Sequence, residues 1–183
     1  MRGHSSEAIQ KYKEQGLKAI FKKTKTLTYK NGDYNPANAD EQIDAMDIPY
    51  PNETFDYVVC SHILDYVSDE LKATQEIHRV LRPNGVAFIL TLIDWDRPQT
   101  LEMETIEERK AHRADLDSLR LHGADFADRL RRGGFHVEII DYVSTFSEDI
   151  RKKYSLGTGE YETIFRCTKK GWFHRLKNYF ENS

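Results

Sequence analysis

The chain has 183 residues, 39% of them hydrophobic, which is enough for one domain with a sizeable core. Its 27 basic and 30 acidic residues leave a formal charge of -3, so overall electrostatics give no reason to expect nucleic acid as a partner. No apolar run reaches the ~18 residues of a membrane helix, and the opening M-R-G-H-S-S lacks the apolar centre of a secretion signal. These features lead us to expect a cytoplasmic protein without membrane contact.

In chain order, Ser5 or Ser6 caps an N-terminal helix within residues 1–23, with Ile9, Tyr12, Leu17, Ile20 and Phe21 on its apolar face. T-L-T-Y-K alternates like a short strand and runs into the Asn31-Gly32-Asp33 turn; a loop from Asn35-Pro36 follows. Phe55 to Cys60 reads as a strand. Ser68 or Asp69 then caps a helix through Leu81, with Leu71, Ile77, Val80 and Leu81 inward and Lys72, Glu76 and Arg79 outward, ended by Pro83-Asn84-Gly85. Val86 to Ile93 is apolar almost throughout, as expected of a strand covered on both faces. The charged stretch from Asp94 to Arg120, with Glu102, Glu104, Glu107, Glu108, Arg109 and Lys110, predicts a solvated helix.

Ala124 to Arg132 predicts another helix stopped by Gly133-Gly134, Phe135 to Val143 a strand, and Y-E-T-I-F-R-C-T a last one. The tail, 171–183, places Trp172, Phe173, Leu176 and Phe180 near one helical face, suited to docking on the domain or on a second subunit. Cys60 and Cys167 lie in apolar strand runs without ligand spacing, so buried reduced thiols are expected and no metal. The whole reads as a single α/β domain over 1–183, with ligands bound beyond the strand ends at Gly32-Asp33, Ser61-His62 and Asp94-Trp95-Asp96.

The run D-A-M-D-I-P-Y-P-N-E-T-F-D-Y-V-V-C-S-H-I-L-D-Y-V from Asp44, followed by E-I-H-R-V-L-R-P-N-G from Glu76, resembles the class I S-adenosylmethionine-dependent methyltransferases, in particular the methyltransferase type 11 group. The resemblance can be extended from Leu27 to Thr168. It implies a Rossmann-like, mostly parallel sheet with an antiparallel last strand, and S-adenosyl-L-methionine as cofactor. By the same resemblance, Asp33 would accept from the ribose hydroxyls, Asp44 and the Ala45 amide would read adenine, and Ser61 and His62 would face the methionine portion. Asp33 also reads as a turn-forming residue after Asn-Gly, and both readings stand. Asp65 and Tyr66 replace the group's Glu-His, and Asn84 stands where it has glycine.

The activity implied is methyl transfer to a small molecule or metabolite. An activated sulfonium asks chiefly for a well-placed acceptor and excluded water, but a hydroxyl or amine also needs a base. His62, Asp94 and His122 are the candidates, in that order. Arg120 either clamps an anionic acceptor or makes a surface salt bridge. The group's first strand and its glycine-rich turn are not found upstream of Lys30, which leaves three origins open: a truncated chain, a strand supplied by a partner, or direct pairing of the second and fourth strands. A homodimer through the missing-strand edge or the tail is one expectation. A non-catalytic binding or regulatory domain is the alternative function.

Overall fold

A computed structural model describes residues 19–112, 116–154, 156 and 163–170. Residues 19–23 are helical, while the rest of the expected N-terminal helix and the whole of the 171–183 tail lie outside the described residues. The chain divides into two compact units, Met1–Asp44 and Ala45–Ser183.

In the first unit, β1 (Gly32–Asp33) pairs in parallel with β2 (Glu41–Gln42). The strand expected over T-L-T-Y-K does not form, and pairing starts two residues later. The reason is local: a Cβ on Gly32 would lie 2.3 Å from Ile43 Cδ1, so only glycine lets the segments approach. Lys30 also reaches across to Glu41 Oε1 at 2.5 Å.

In the second unit, β3 (Phe55–Ser61), α1 (Glu70–Val80) and β4 (Leu81–Leu90) form a parallel strand-helix-strand unit. After β4 come β5 (Ile93–Asp94), β6 (Leu101–Glu102), α2 (Ile106–His112), β7 (Arg120–Gly123), α3 (Phe126–Arg132), β8 (His136–Asp141), a short 3-10 turn (Val143–Thr145), α4 (Glu148–Tyr154) and β9 (Thr163–Thr168). One sheet has the order β3-β4-β9-β8, with β9 antiparallel to both of its neighbours, and a smaller one has the order β5-β7-β6. The mixed α/β sheet with an antiparallel last strand is therefore present.

Asp69 caps α1 by accepting from the Lys72 amide at 2.9 Å. Its buried stripe runs Glu70, Ala73, Thr74, Ile77 and Val80 at helical spacing. Leu71, expected inside, lies off that stripe and is exposed. The main core joins α1 and α3 to one sheet face through Ile77, Phe126, Leu130, Ala87, Ile89, Phe165 and Cys167. Cover on both faces of β4 was expected, yet its alternate residues Phe88 and Leu90 are only half-buried, and Tyr57 of β3 is 65% exposed.

Strand pairing begins at Leu81, directly after the helix, rather than at Val86. Leu81 pairs with Phe55 and Val86 with Tyr57, so the intervening R-P-N-G is thrown out as a bulge, with Asn84 at φ 66. β4 stops at Leu90, and Ile93-Asp94 pairs instead with β7. The solvated helix of the charged stretch is confined to α2, which has no buried residue, while Glu102 belongs to β6.

Candidate functional site

Parallel pairing brings the carboxyl ends of β3 and β4 together, with Ser61 opposite Leu90. The His62 amide donates to Leu90 O at 2.8 Å, and His62 holds a left-handed backbone at φ 52. A non-glycine residue held there marks a constrained strand end. Ser61 and His62 are both half-buried. Asp94 closes β5 and accepts from the Asp96 amide at 3.2 Å, with Arg97 at 3.5 Å.

The acidic loop before β3 is braced from α1. Arg79 donates to Ile48 O (2.9 Å), Tyr50 O (2.7 Å) and Asn52 Oδ1 (3.0 Å), and is itself held by Glu76. Glu76 Oε2 also accepts from the Ile48 amide at 3.0 Å. The Arg79 hydrogen bond holds the Glu76 carboxyl below its ordinary range, against the opposing pull of burial. Two residues that read as outward surface therefore fix the I-P-Y-P-N segment. Tyr50 meets Phe55 edge-on at 4.9 Å, and the Asp56 carboxylate takes a two-pronged contact from Arg82.

Thr91, Glu70 and Arg129, which sequence reasoning did not place in a site, join the expected His122 and Arg120 and the noted Asp65 in a polar cluster. Thr91 bonds Asp65 Oδ1 and lies 3.3 Å from His122 Nδ1, while His122 Nε2 is 3.0 Å from Glu70 Oε1. Arg129 donates to Glu70 Oε2 at 2.6 Å and to Glu102 Oε1 at 2.5 Å. Arg120 is 3% exposed and is committed inward, donating to Leu64 O, Val67 O and Glu102 Oε2. The salt bridge offered for it forms with Glu102, from a buried guanidinium to a carboxylate that is itself exposed. Burial works against ionised Glu70, but the bonds and charges of His122 and Arg129 outweigh it and hold its carboxyl below the usual range. A cleft of about 400 Å³ opens beside Glu70, Arg129 and Glu102. His122 itself is fully enclosed, with Phe126 at 4.2 Å.

In the first unit, Asp33 ends β1 and accepts from the Asn35 amide at 2.8 Å, as its turn-forming reading expects. Asp44 is half-buried, and Ala45 begins a turn at the start of the second unit. Cys60 and Cys167 are buried free thiols; burial pushes both up to about 12, aided by the Asp65 charge at Cys60.

These features can be set beside known proteins. An S-adenosylmethionine-dependent methyltransferase from Mesorhizobium loti shares the fold at a TM-score of 0.51 and 17% identity, over 71% of this chain and 68% of that one. Residues 10–89 match the family model described as a methyltransferase domain. Over those residues, under half of its length, the chain is similar to that family. A demethylmenaquinone methyltransferase from Lysinibacillus sphaericus is 44% identical over 46 residues, which are 25% of this chain and 20% of that protein. A ubiquinone/menaquinone biosynthesis C-methyltransferase UbiE from Coxiella burnetii is 26% identical over 98 residues, 44% of this chain and 38% of that protein. The chain thus matches well under half the length of both curated relatives. Among the described residues, no helix is long and apolar enough to cross a membrane.

Proposed function

We propose that this chain binds S-adenosyl-L-methionine and transfers its methyl group to a small-molecule acceptor. The observation that carries the reading is the braced acidic loop: Glu76 and Arg79 of α1 fix the backbone at Ile48 and Tyr50, three residues and more past Ala45. A carboxylate followed by a backbone amide suits a purine edge, which offers an amino donor and a ring-nitrogen acceptor. Met46 and Ile48, which pack on the core, would offer apolar contact to its face.

In this reading Ser61 and His62 meet the amino-acid end at the carboxyl end of β3. When bound, the cofactor supplies an electrophilic methyl group. The chain's part is to hold the acceptor in line, exclude water and take a proton where the acceptor loses one. His62 and Asp94, both half-buried, are placed at strand ends for that task; the enclosed His122 and Arg120 would act through the groups they hold. The two relatives named for quinone methylation suggest a quinone-type acceptor.

Calorimetric titration of the whole chain with S-adenosyl-L-methionine tests the reading. Asp44→Ala should weaken binding at least ~tenfold, about 1.4 kcal/mol. Absence of heat from the unaltered chain at millimolar cofactor would refute it.

A further inference from the structure

The turn that follows β5 carries Asp94, Trp95 and Arg97 at the carboxyl end of that strand. Asp94 lies four residues beyond Leu90, the partner of Ser61, and pairs with Gly123 of β7. The backbone here is fixed from several sides. The Arg97 amide donates to Asp94 O at 3.1 Å and the Asp96 amide to Asp94 Oδ1 at 3.2 Å, while Arg97 O accepts from the Ala124 amide at 2.8 Å. Just beyond, the Thr100 amide and hydroxyl both donate to Asp125 Oδ1 at 2.7 Å. A segment tied in this way to the residues that open α3 presents its side chains in set positions.

The side chains themselves are not spent. Among the described residues the Arg97 guanidinium makes no hydrogen bond: Nε is enclosed and without a partner, and Asp94 Oδ2 at 3.5 Å is an ion-pair contact only. An enclosed donor left unpaired in a native protein calls for a reason. Both terminal nitrogens are open to solvent, and the Arg97 and Asp94 side chains are 32% and 35% exposed. Trp95, two positions from Arg97 along the turn, is 48% exposed and offers a large apolar surface. Arg120, the arginine expected to meet an acceptor, is committed to Leu64, Val67 and Glu102. Arg97 has donors left over at a strand end.

Charge and hydrogen-bonding type decide what can use these groups. A guanidinium only donates and a carboxylate only accepts. A carboxylate or phosphate ligand would meet Arg97 but also Asp94 and Asp96, two negative groups against one positive. An ammonium would meet the opposite conflict at Arg97. A neutral hydroxyl meets neither, because its hydrogen goes to Asp94 Oδ2 and its lone pairs accept from a terminal nitrogen of Arg97. The two side chains, 3.5 Å apart and unbonded, are close enough for one oxygen to reach both. A flat ring carrying that hydroxyl gains apolar contact from Trp95.

We infer that Asp94 and Arg97 hold a neutral hydroxyl of the methyl acceptor, with Trp95 covering the ring that carries it. The acceptor class is then a phenol rather than an acid or an amine. That these groups serve methyl transfer rests on the proposed function; that they select a hydroxyl does not.

Calorimetric titration of the whole chain with three probes tests the proposal: a naphthol, its methyl ether, which accepts but cannot donate, and the corresponding naphthoate. The naphthol should bind at least ~tenfold tighter than either of the others. Arg97→Met removes the donors and should weaken naphthol at least ~fivefold, yet leave the melting point within about 2 °C, since no hydrogen bond of the guanidinium is lost. Asp94→Ala should abolish the preference for naphthol over the ether. Equal binding of naphthol and ether by the unaltered chain, or no binding of naphthol, overturns the proposal. So does a larger fall in the melting point of Arg97→Met, or its failure to fold, because the guanidinium is then spent on holding the turn. Should Asp94→Ala not fold, the ranking of the probes by the unaltered chain decides. Titration with S-adenosyl-L-methionine alongside separates the two readings. A naphthol preference without cofactor binding refutes the proposed function and leaves the hydroxyl site standing; cofactor binding without the preference refutes the hydroxyl site alone.

Discussion

Arg79 shows how one side chain can define a loop that has no regular structure of its own. Its guanidinium meets two backbone carbonyls and an amide oxygen of the segment between Ile48 and Asn52, while Glu76 holds both the guanidinium and the Ile48 amide. Truncation to alanine removes donors from partly buried carbonyls, whose unmet cost exceeds that of an ordinary lost bond. Arg79→Ala should therefore lower stability by about 2 kcal/mol in denaturant titration. Lys cannot make the same fork, so Arg79→Lys should recover only part of the loss. If Arg79→Ala unfolds at the same denaturant concentration as the unaltered chain, the bracing role is wrong.

Helix packing turns on a single small residue. A Cβ at Gly133, just past α3, would sit 2.2 Å from Thr74 Cγ2 of α1. Gly133→Ala should cost about 1–3 kcal/mol, and adding Thr74→Ser, which removes that methyl and keeps the hydroxyl, should restore most of it; thermal melts of the two variants provide the check. The same scale shows what the sequence made legible. β3, α1 and β8 could be read because their apolar residues repeat at strand or helix spacing, and Gly133-Gly134 marked the end of α3. The R-P-N-G bulge was read as a boundary, since proline and glycine signal a turn whether or not strand pairing resumes on either side. T-L-T-Y-K had the alternation of a strand, but its pairing was decided by the space beside Gly32. The buried cluster was hidden for a different reason. Glu70 and Arg129 are residue types found mostly at surfaces, and it is their mutual neutralisation between α1 and α3 that makes burial of Glu70 tolerable. Sequence spacing does not encode a partner 59 positions away.

Across the second unit, β4 is bonded on both edges, by β3 in parallel and β9 in antiparallel, while β3 and β8 end the sheet among the described residues. Cys60 and Cys167 lie in the two strands that flank β4, both turned into the core shared with α1 and α3. Their enclosed thiols are inert until a strand detaches, which makes each an internal clock of opening. With a thiol reagent in excess, equal alkylation rates would mean that the sheet opens as one cooperative body. Faster labelling of Cys60 is expected, because an edge strand frays at lower free energy than one held on two sides, and the ratio of the rates would measure how much of the unit's stability β3 can lose while the rest of the sheet stays closed.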